Sequence, residues 1–368
     1  MDFAYTPEQD ELRALARRVL ADRATPQRVA EVEATEERID RDLWRALAGA
    51  GLLGVAVPEA YGGGGLSIVE LCALLEEVGR AVAPVPAYAT LLLGALPVAA
   101  FGDEATRQRL LPGVVSGEVL LSGGLDEPRN PEPLAPSTRA VARNGGWQLD
   151  GVKLGVPAAA AAAAVVVSAA LDGGAETGLF LVDPHDPGVT LERQVATNRE
   201  VQYLVTLDGA AGQRLGDGDA LAWLIRRATV GLCAMQVGVT DRALRMTAEY
   251  TSSREQFGRP LSAFQAVSQR AADAYVDVQG IRLTAQAATW RLAEGEEAGA
   301  DAAIAVAKFW AAEAAQRVVH AAQHLHGGVG VDVSYPLHRS FLWAKQLELG
   351  LGGGTHQLLR LGAMIAAS

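Results

Sequence analysis

Cysteine is nearly absent from this sequence: Cys72 and Cys233 are the only two in 368 residues, far apart and each in apolar surroundings. Such a pair builds no disulfide framework and has no metal-ligand spacing with any histidine. Both read as reduced core thiols of a cytosolic protein. Lysine is also scarce, with Lys153, Lys308 and Lys345 the only three, so arginine carries nearly all the positive charge. A formal net charge of -11 argues against a nucleic-acid-binding surface, but not against an anionic ligand held by locally placed arginines. Long apolar runs are lacking too. The alanine tract from Ala158 to Ala164, with Val165–Val167, is too short to span a bilayer. The opening residues, Met1-Asp2-Phe3-Ala4-Tyr5-Thr6-Pro7-Glu8, are acidic, unlike a secretory signal. What is present is 49% hydrophobic and 20% charged, an ordinary globular composition with room for two or three domains.

The texture changes twice along the chain, which divides it into residues 1–120, 121–215 and 216–368. The first part is helical. Thr6-Pro7-Glu8-Gln9 places an N-cap, a proline in the first turn and early acids together. Leu12, Leu15, Ala16, Val19 and Leu20 then recur at helical spacing. Asp40 opens a second helix through Trp44 and Leu47, and Ser67 with Glu70 has capping-box spacing for a third. The middle part reads as strands at Val165–Ala169, Gly178–Val182, Val189–Leu191 and Tyr203–Leu207, with a turn at Asn144-Gly145-Gly146. For Ala158–Ala164, propensity favours helix but the neighbouring strands favour loop or strand, and the strand context is preferred. In the last part, Ala220–Ser253, Pro260–Ala293, Ala300–Leu325 and Tyr335–Leu349 have the apolar stripes of a four-helix bundle. The fold class is therefore α+β and mainly α: an N-terminal helical domain, a middle β domain and a C-terminal bundle.

Within the last part, Arg254-Glu255-Gln256-Phe257-Gly258 is followed by Phe264-Gln265, and later by Gln323-His324-Leu325-His326-Gly327-Gly328-Val329-Gly330. Arginine offers a planar fork of donors that matches a pyrophosphate. Gln323 offers an amide for an adenine edge or a ribose, and Gly327 and Gly328 let a ligand approach the backbone closely. With Leu43-Trp44 through Gly54, Pro58-Glu59-Ala60-Tyr61-Gly62-Gly63-Gly64-Gly65-Leu66, Glu76-Glu77-Val78-Gly79-Arg80 and Trp147-Gln148-Leu149-Asp150-Gly151-Val152-Lys153, the chain resembles the acyl-CoA dehydrogenase family almost end to end. The resemblance implies the same three-part architecture and FAD bound across a subunit interface. It makes Arg254, Phe257, Gln265, Gln323, Gly327 and Gly328 contacts to the neighbouring subunit's FAD. It also implies an acyl-CoA substrate and an electron-transfer flavoprotein as partner.

The departures from the family pattern are ordered. The catalytic glutamate of the family precedes Gly-Thr near the C-terminus; here Leu351-Gly352-Gly353-Gly354-Thr355-His356 puts Gly353 there, and glycine accepts no proton. The alternative family position aligns near Ala228-Thr229, again without a carboxylate, with Arg226 and Arg227 close by. After Lys153, Val156 and Pro157 stand where the family packs an aromatic and a hydroxyl residue against the flavin ring. Glu127-Pro128 is kept, but Arg129-Asn130-Pro131-Glu132-Pro133 replaces the small residues that follow. Groups that act on a flavin in the same subunit are lost, and groups that reach a neighbour's flavin are kept. This pattern implies a heteromer, α2β2, in which a related subunit bearing the glutamate does the chemistry, as in actinobacterial steroid side-chain breakdown.

Three other readings stay open. Glu348 is the candidate displaced base of a homomeric enzyme, although an exposed helix-end carboxylate is the blander account of it. A flavin monooxygenase of the same fold needs no glutamate, and a flavin-free binding protein needs no cofactor. Of the histidines, His326 belongs to the family motif, His324 reads as structural, and His356 is a candidate for lining a vestigial pocket. The Gly352–Gly354 run reads as a helix connection.

Overall fold

The computed structural model describes residues 5–143, 145–171, 174 and 176–367. Asn144 of the expected turn and the first four residues lie outside that set. Helices α1 (Pro7–Arg23), α2 (Pro26–Glu33), α3 (Arg41–Gly49) and α4 (Ile68–Ala81) come first. A π-helical segment, Tyr88–Ala95, runs on into α5 (Leu96–Phe101), and α6 (Glu104–Ser116) follows. Strands β1 (Leu121–Gly124), β2 (Arg139–Arg143), β3 (Gly146–Pro157), β4 (Ala164–Leu171), β5 (Thr177–Val182), β6 (Val189–Val195) and β7 (Val201–Gly216) occupy the middle. Helix α7 (Gly218–Ser253) leads to a small hairpin of β8 (Glu255–Gln256) and β9 (Arg259–Pro260). Helices α8 (Gln265–Ala293), α9 (Glu297–His326), α10 (Leu337–Leu349) and α11 (Gly354–Ala367) complete the chain. No helix among the described residues is long and apolar enough to cross a membrane.

The caps read from sequence do their expected work. The Thr6 hydroxyl accepts from Gln9 N–H while the Gln9 side chain reaches back to Thr6 N–H, and Asp40 accepts from Leu43 N–H. At the start of α4 the Glu70 carboxylate accepts from Ser67 N–H and Oγ–H, while Ser67 Oγ accepts from Val69 N–H. Several helix boundaries differ. Pro260 is the last residue of β9, so α8 starts at Gln265. Helix α9 starts at Glu297, ahead of Ala300, and α10 starts at Leu337, after Pro336. A fifth helix, α11, follows the glycine run, which is indeed a helix connection. The alanine tract is neither helix nor continuous strand: Ala158 adopts a left-handed conformation, Ala159–Ala161 make one 3-10 turn, and β4 begins at Ala164.

The chain forms two compact units. The first gathers Met1–Ala30, Cys72–Ala83 and Thr229–Ser368; the second holds Glu31–Leu71 and Pro84–Ala228. In the second unit the pairings β4–β2, β2–β3, β3–β7, β7–β5 and β5–β4 close a ring. Its interior is packed with Leu149, Val156, Val165, Val167, Phe180 and Val205, all buried. The side chain of Lys153 is buried as well. Its ammonium donates to Glu127 Oε1 at 2.6 Å and to Ser168 Oγ at 2.9 Å. Burial works against the Glu127 charge, but Lys153 and the Thr138 and Ser137 donors outweigh it, holding the carboxyl down at about 2.

In the first unit α4 and α7 cross where each presents a glycine. A Cβ on Gly238 would lie 1.9 Å from the Glu76 carbonyl oxygen, and one on Gly79 would lie 2.2 Å from that of Met235. That close crossing puts Glu76 and Glu77 among arginines. Arg17 forks onto Glu77 at 2.7 and 3.0 Å, while Arg80 and Arg282 both reach Glu76 at 2.7 Å. Arg80 also pairs with Asp241 on α7. Cys72 and Cys233 are buried and form no disulfide.

Candidate functional site

Helix α7 ends one residue before Arg254, and the chain then turns back through the β8–β9 hairpin. Register pairs Gln256 with Arg259, so the loop is two residues, Phe257 and Gly258, at φ +56° and +76°. Two positive φ values are what a tight hairpin of this hand requires, and only the glycine meets the requirement without strain. The strain falls on Phe257, which is 91% exposed. Its ring meets the Phe264 ring edge-on at 6.2 Å, and the Arg259 guanidinium lies 4.1 Å over Phe264. Arg254 and Gln265 are exposed on either side of this aromatic ledge, and neither side chain has a hydrogen bond or ion pair among the described residues.

The end of α9 meets the end of α7, just before this hairpin, through a ring stack. His326 lies against Tyr250, one turn before Arg254, with centroids 4.4 Å apart and planes 20° from parallel. His326 Nδ1 donates to the Ala322 carbonyl at 2.7 Å, which leaves Nε2 to accept from the Tyr335 hydroxyl at 3.3 Å. Burial pushes the His326 pKa down, so the neutral ring fits. The motif histidine is therefore structural, whereas His324 is exposed in the last turn of α9. The structure thus brings Arg254, Phe257 and Gln265 to the same end of the helices as Gln323, Gly327 and Gly328.

The two glycines of that group differ. Gly327 ends α9 at φ +62° and ψ -139°, so its backbone calls for glycine. Gly328 has no such angle, and a Cβ there would have no atom of this chain within 4 Å. Neither conformation nor packing within the chain accounts for glycine at 328.

Where the resemblance puts the family base, α10 and α11 are joined by Gly350 to Gly353. Lys308, fully buried, donates to the Leu347 and Glu348 carbonyls at 2.6 and 2.9 Å. Gln357 donates to those of Leu351 and Gly352 at 3.1 and 3.3 Å. The loop is held, yet Gly353 is not forced to be glycine: a Cβ there would meet nothing nearer than the Glu348 carbonyl oxygen at 3.7 Å. Gly352, by contrast, has φ +90°, and a Cβ there would lie 2.6 Å from the His356 ring. The Glu348 side chain, 17% exposed, is bound to Lys345 Nζ at 2.8 Å rather than free at a helix end. Ala228 and Thr229 are buried without a carboxylate, and the nearby Arg227 guanidinium lies 3.9 Å over the Trp223 ring. Val156 and Pro157 are both buried in the β unit. No cluster of three or more metal-ligating side chains occurs among the described residues.

Residues 6–118 match the family model for the N-terminal domain of acyl-CoA dehydrogenases, and residues 218–366 match that for the C-terminal domain. Acyl-CoA dehydrogenase FadE27 of Mycobacterium tuberculosis is 41% identical over 375 residues, covering 100% of this chain and 99% of that protein. The chain belongs to the acyl-CoA dehydrogenase family. FadE28 of the same organism is 37% identical to this acyl-CoA dehydrogenase homologue, over 92% of this chain and 97% of FadE28. Among solved structures, the Tcur3481–Tcur3483 steroid ACAD, a glycine-to-alanine variant, superposes with TM-score 0.92 at 47% identity, covering 98% of each chain. The ChsE4–ChsE5 complex from Mycobacterium tuberculosis gives TM-score 0.94 at 40% identity, covering 100% of each.

Proposed function

We propose that this chain is one subunit of a heteromeric, FAD-dependent acyl-CoA dehydrogenase and completes the flavin site of a related subunit that carries the catalytic glutamate. The observation that carries the reading is a contrast between two glycines. Gly328 is exposed and unexplained by its own chain, on a face with an unpaired Arg254 and a bare Phe257. Gly353 stands in a loop that has room for a side chain, yet it offers no base.

FAD, when bound, supplies the hydride acceptor for α,β-dehydrogenation of a CoA thioester. This chain's part is binding and positioning. The Arg254 fork suits the pyrophosphate, the Gly327–Gly328 backbone admits close approach, and the Gln265 and Gln323 amides suit the ribose and adenine. Phe257 covers the cofactor from solvent. The base comes from the partner, in an α2β2 assembly of the cytoplasm that passes electrons to an electron-transfer flavoprotein. Similarity to a steroid ACAD and to the ChsE4–ChsE5 complex supports a bulky, steroid-derived acyl group. The Lys345 partnership of Glu348 weighs against a homomer with a displaced base.

Co-expression with a glutamate-bearing paralogue tests the reading. The complex is expected to carry flavin absorbance and oxidise a CoA thioester, and Arg254→Ala in this chain is expected to strip the flavin. A lone chain that oxidises the thioester at the rate of the complex overturns it.

A further inference from the structure

Two arginines come together where α10 begins. Gln236 on α7 donates to the Ala344 carbonyl on α10 at 3.3 Å, which sets the two helices side by side. Six residues further along α7 stands Arg242, and five residues back along α10 stands Arg339, which is buried. They lie near enough to repel: burial and the Arg339 charge together push the Arg242 pKa down. Arg242 Nη1 donates to the Arg80 carbonyl at 3.2 Å, but its Nε–H is sealed from solvent and meets no acceptor among the described residues. Nor does Arg242 form an ion pair among them. The carboxylate next to it in sequence, Asp241, is held by Arg80, Arg245 and Arg282. Asp332, in the loop before α10, is exposed and accepts from Ser334 N–H.

The helix adds to the same field. No side chain caps the start of α10, its first turn holds no acid, and that end carries the positive pole of the backbone dipole. Ser340, in the same turn, is fully buried, and its hydroxyl has no hydrogen-bond partner among the described residues. Taking a guanidinium out of water without a counter-charge is costly, and a bound anion offsets that cost. We propose that Arg242, together with Arg339 and the start of α10, binds a small inorganic oxyanion of the phosphate class. The planar fork of a guanidinium matches two oxygens of such an ion. The bound ion balances the arginine pair and ties α7 to α10. The site is independent of the flavin reading: twelve residues, about 18 Å of helix, separate Arg242 from Arg254.

Thermal unfolding of the full chain in inorganic phosphate, with sodium chloride holding ionic strength constant, tests this. Phosphate over roughly 0.1 to 50 mM should raise the melting temperature along a saturable curve. Arg242→Met should abolish that dependence. Arg242→Lys keeps the charge but not the fork, so it should move the midpoint of the curve to roughly tenfold higher phosphate. It carries the test by itself should the methionine variant not fold. Arg254→Met should respond as the native chain does, which separates this site from the proposed cofactor contacts. A native chain indifferent to phosphate, an Arg242→Met chain that still responds, an unmoved midpoint in Arg242→Lys, or a response lost in Arg254→Met would each overturn the proposal.

Discussion

The rings of Tyr250 and His326 are stacked at 4.4 Å, and this contact fastens the end of α7 to the end of α9. It joins the segment carrying Arg254 to the segment carrying Gln323, Gly327 and Gly328. Tyr250→Ala should cost about 1–3 kcal/mol of stability through lost ring area and stacking. The complex should then lose flavin more readily, as followed by fluorescence of the released cofactor.

Acid should act on the same contact. His326 has its pKa lowered by burial, so the folded chain binds fewer protons there than the unfolded one. That stabilisation is complete above the ordinary histidine value and shrinks as pH falls below about 6.5. The drop in melting temperature between neutral pH and mild acid should be smaller in His326→Gln than in the native chain.

Inside the β unit, Lys153→Ala should cost about 3–5 kcal/mol, because it leaves the Glu127 carboxylate buried beside an empty site. Adding Glu127→Gln should recover part of the loss, as read from chemical denaturation. With the Glu127 pKa held at about 2, its contribution is present above the usual carboxylate value and fades as pH falls from about 4 toward 2.

The α4–α7 crossing should not tolerate a methyl group. Gly238→Ala places a Cβ where the Glu76 carbonyl oxygen now sits, and overpacking of this kind costs about 3 kcal/mol. Gly362→Ala, where a Cβ meets nothing within 4 Å, is the control and should leave the melting temperature unchanged or slightly raised.

At the connection to α11, Gly353→Glu should leave stability within about 0.5 kcal/mol, since φ is unstrained and a Cβ would make only an ordinary van der Waals contact with the Glu348 carbonyl. Gly352→Ala should be clearly destabilising for both reasons reversed. If the division of labour is right, Gly353→Glu alone confers no dehydrogenase activity on the isolated chain, because the groups that hold the flavin ring are still missing.

Much of the architecture was legible because helix caps and periodicity are local. Thr6 with Gln9 and Asp40 with Leu43 are within three residues of each other, so the signal is in the sequence itself. Helix α11 was missed because the Gly352–Gly354 run ahead of it lacks the usual cap residues, and its exposed Leu358, Leu359 and Ile365 blur the apolar stripe. The alanine tract was ambiguous because alanine has a strong helix propensity and almost no shape. The register of β3 and β4 around it decided the outcome.

By itself the sequence determined which chemical groups this chain has and lacks: the arginine, glutamines and glycines of the proposed cofactor-binding end, and no carboxylate at Gly353. Residue identity alone settles whether a proton acceptor exists. Only the tertiary structure decided which of those groups are free to act. Glu348 is tied to Lys345, His326 is locked between Tyr250 and Ala322, and Gly353 has room that Gly352 lacks. Those distinctions depend on neighbours many residues away or on backbone angles, and neither is written in local composition.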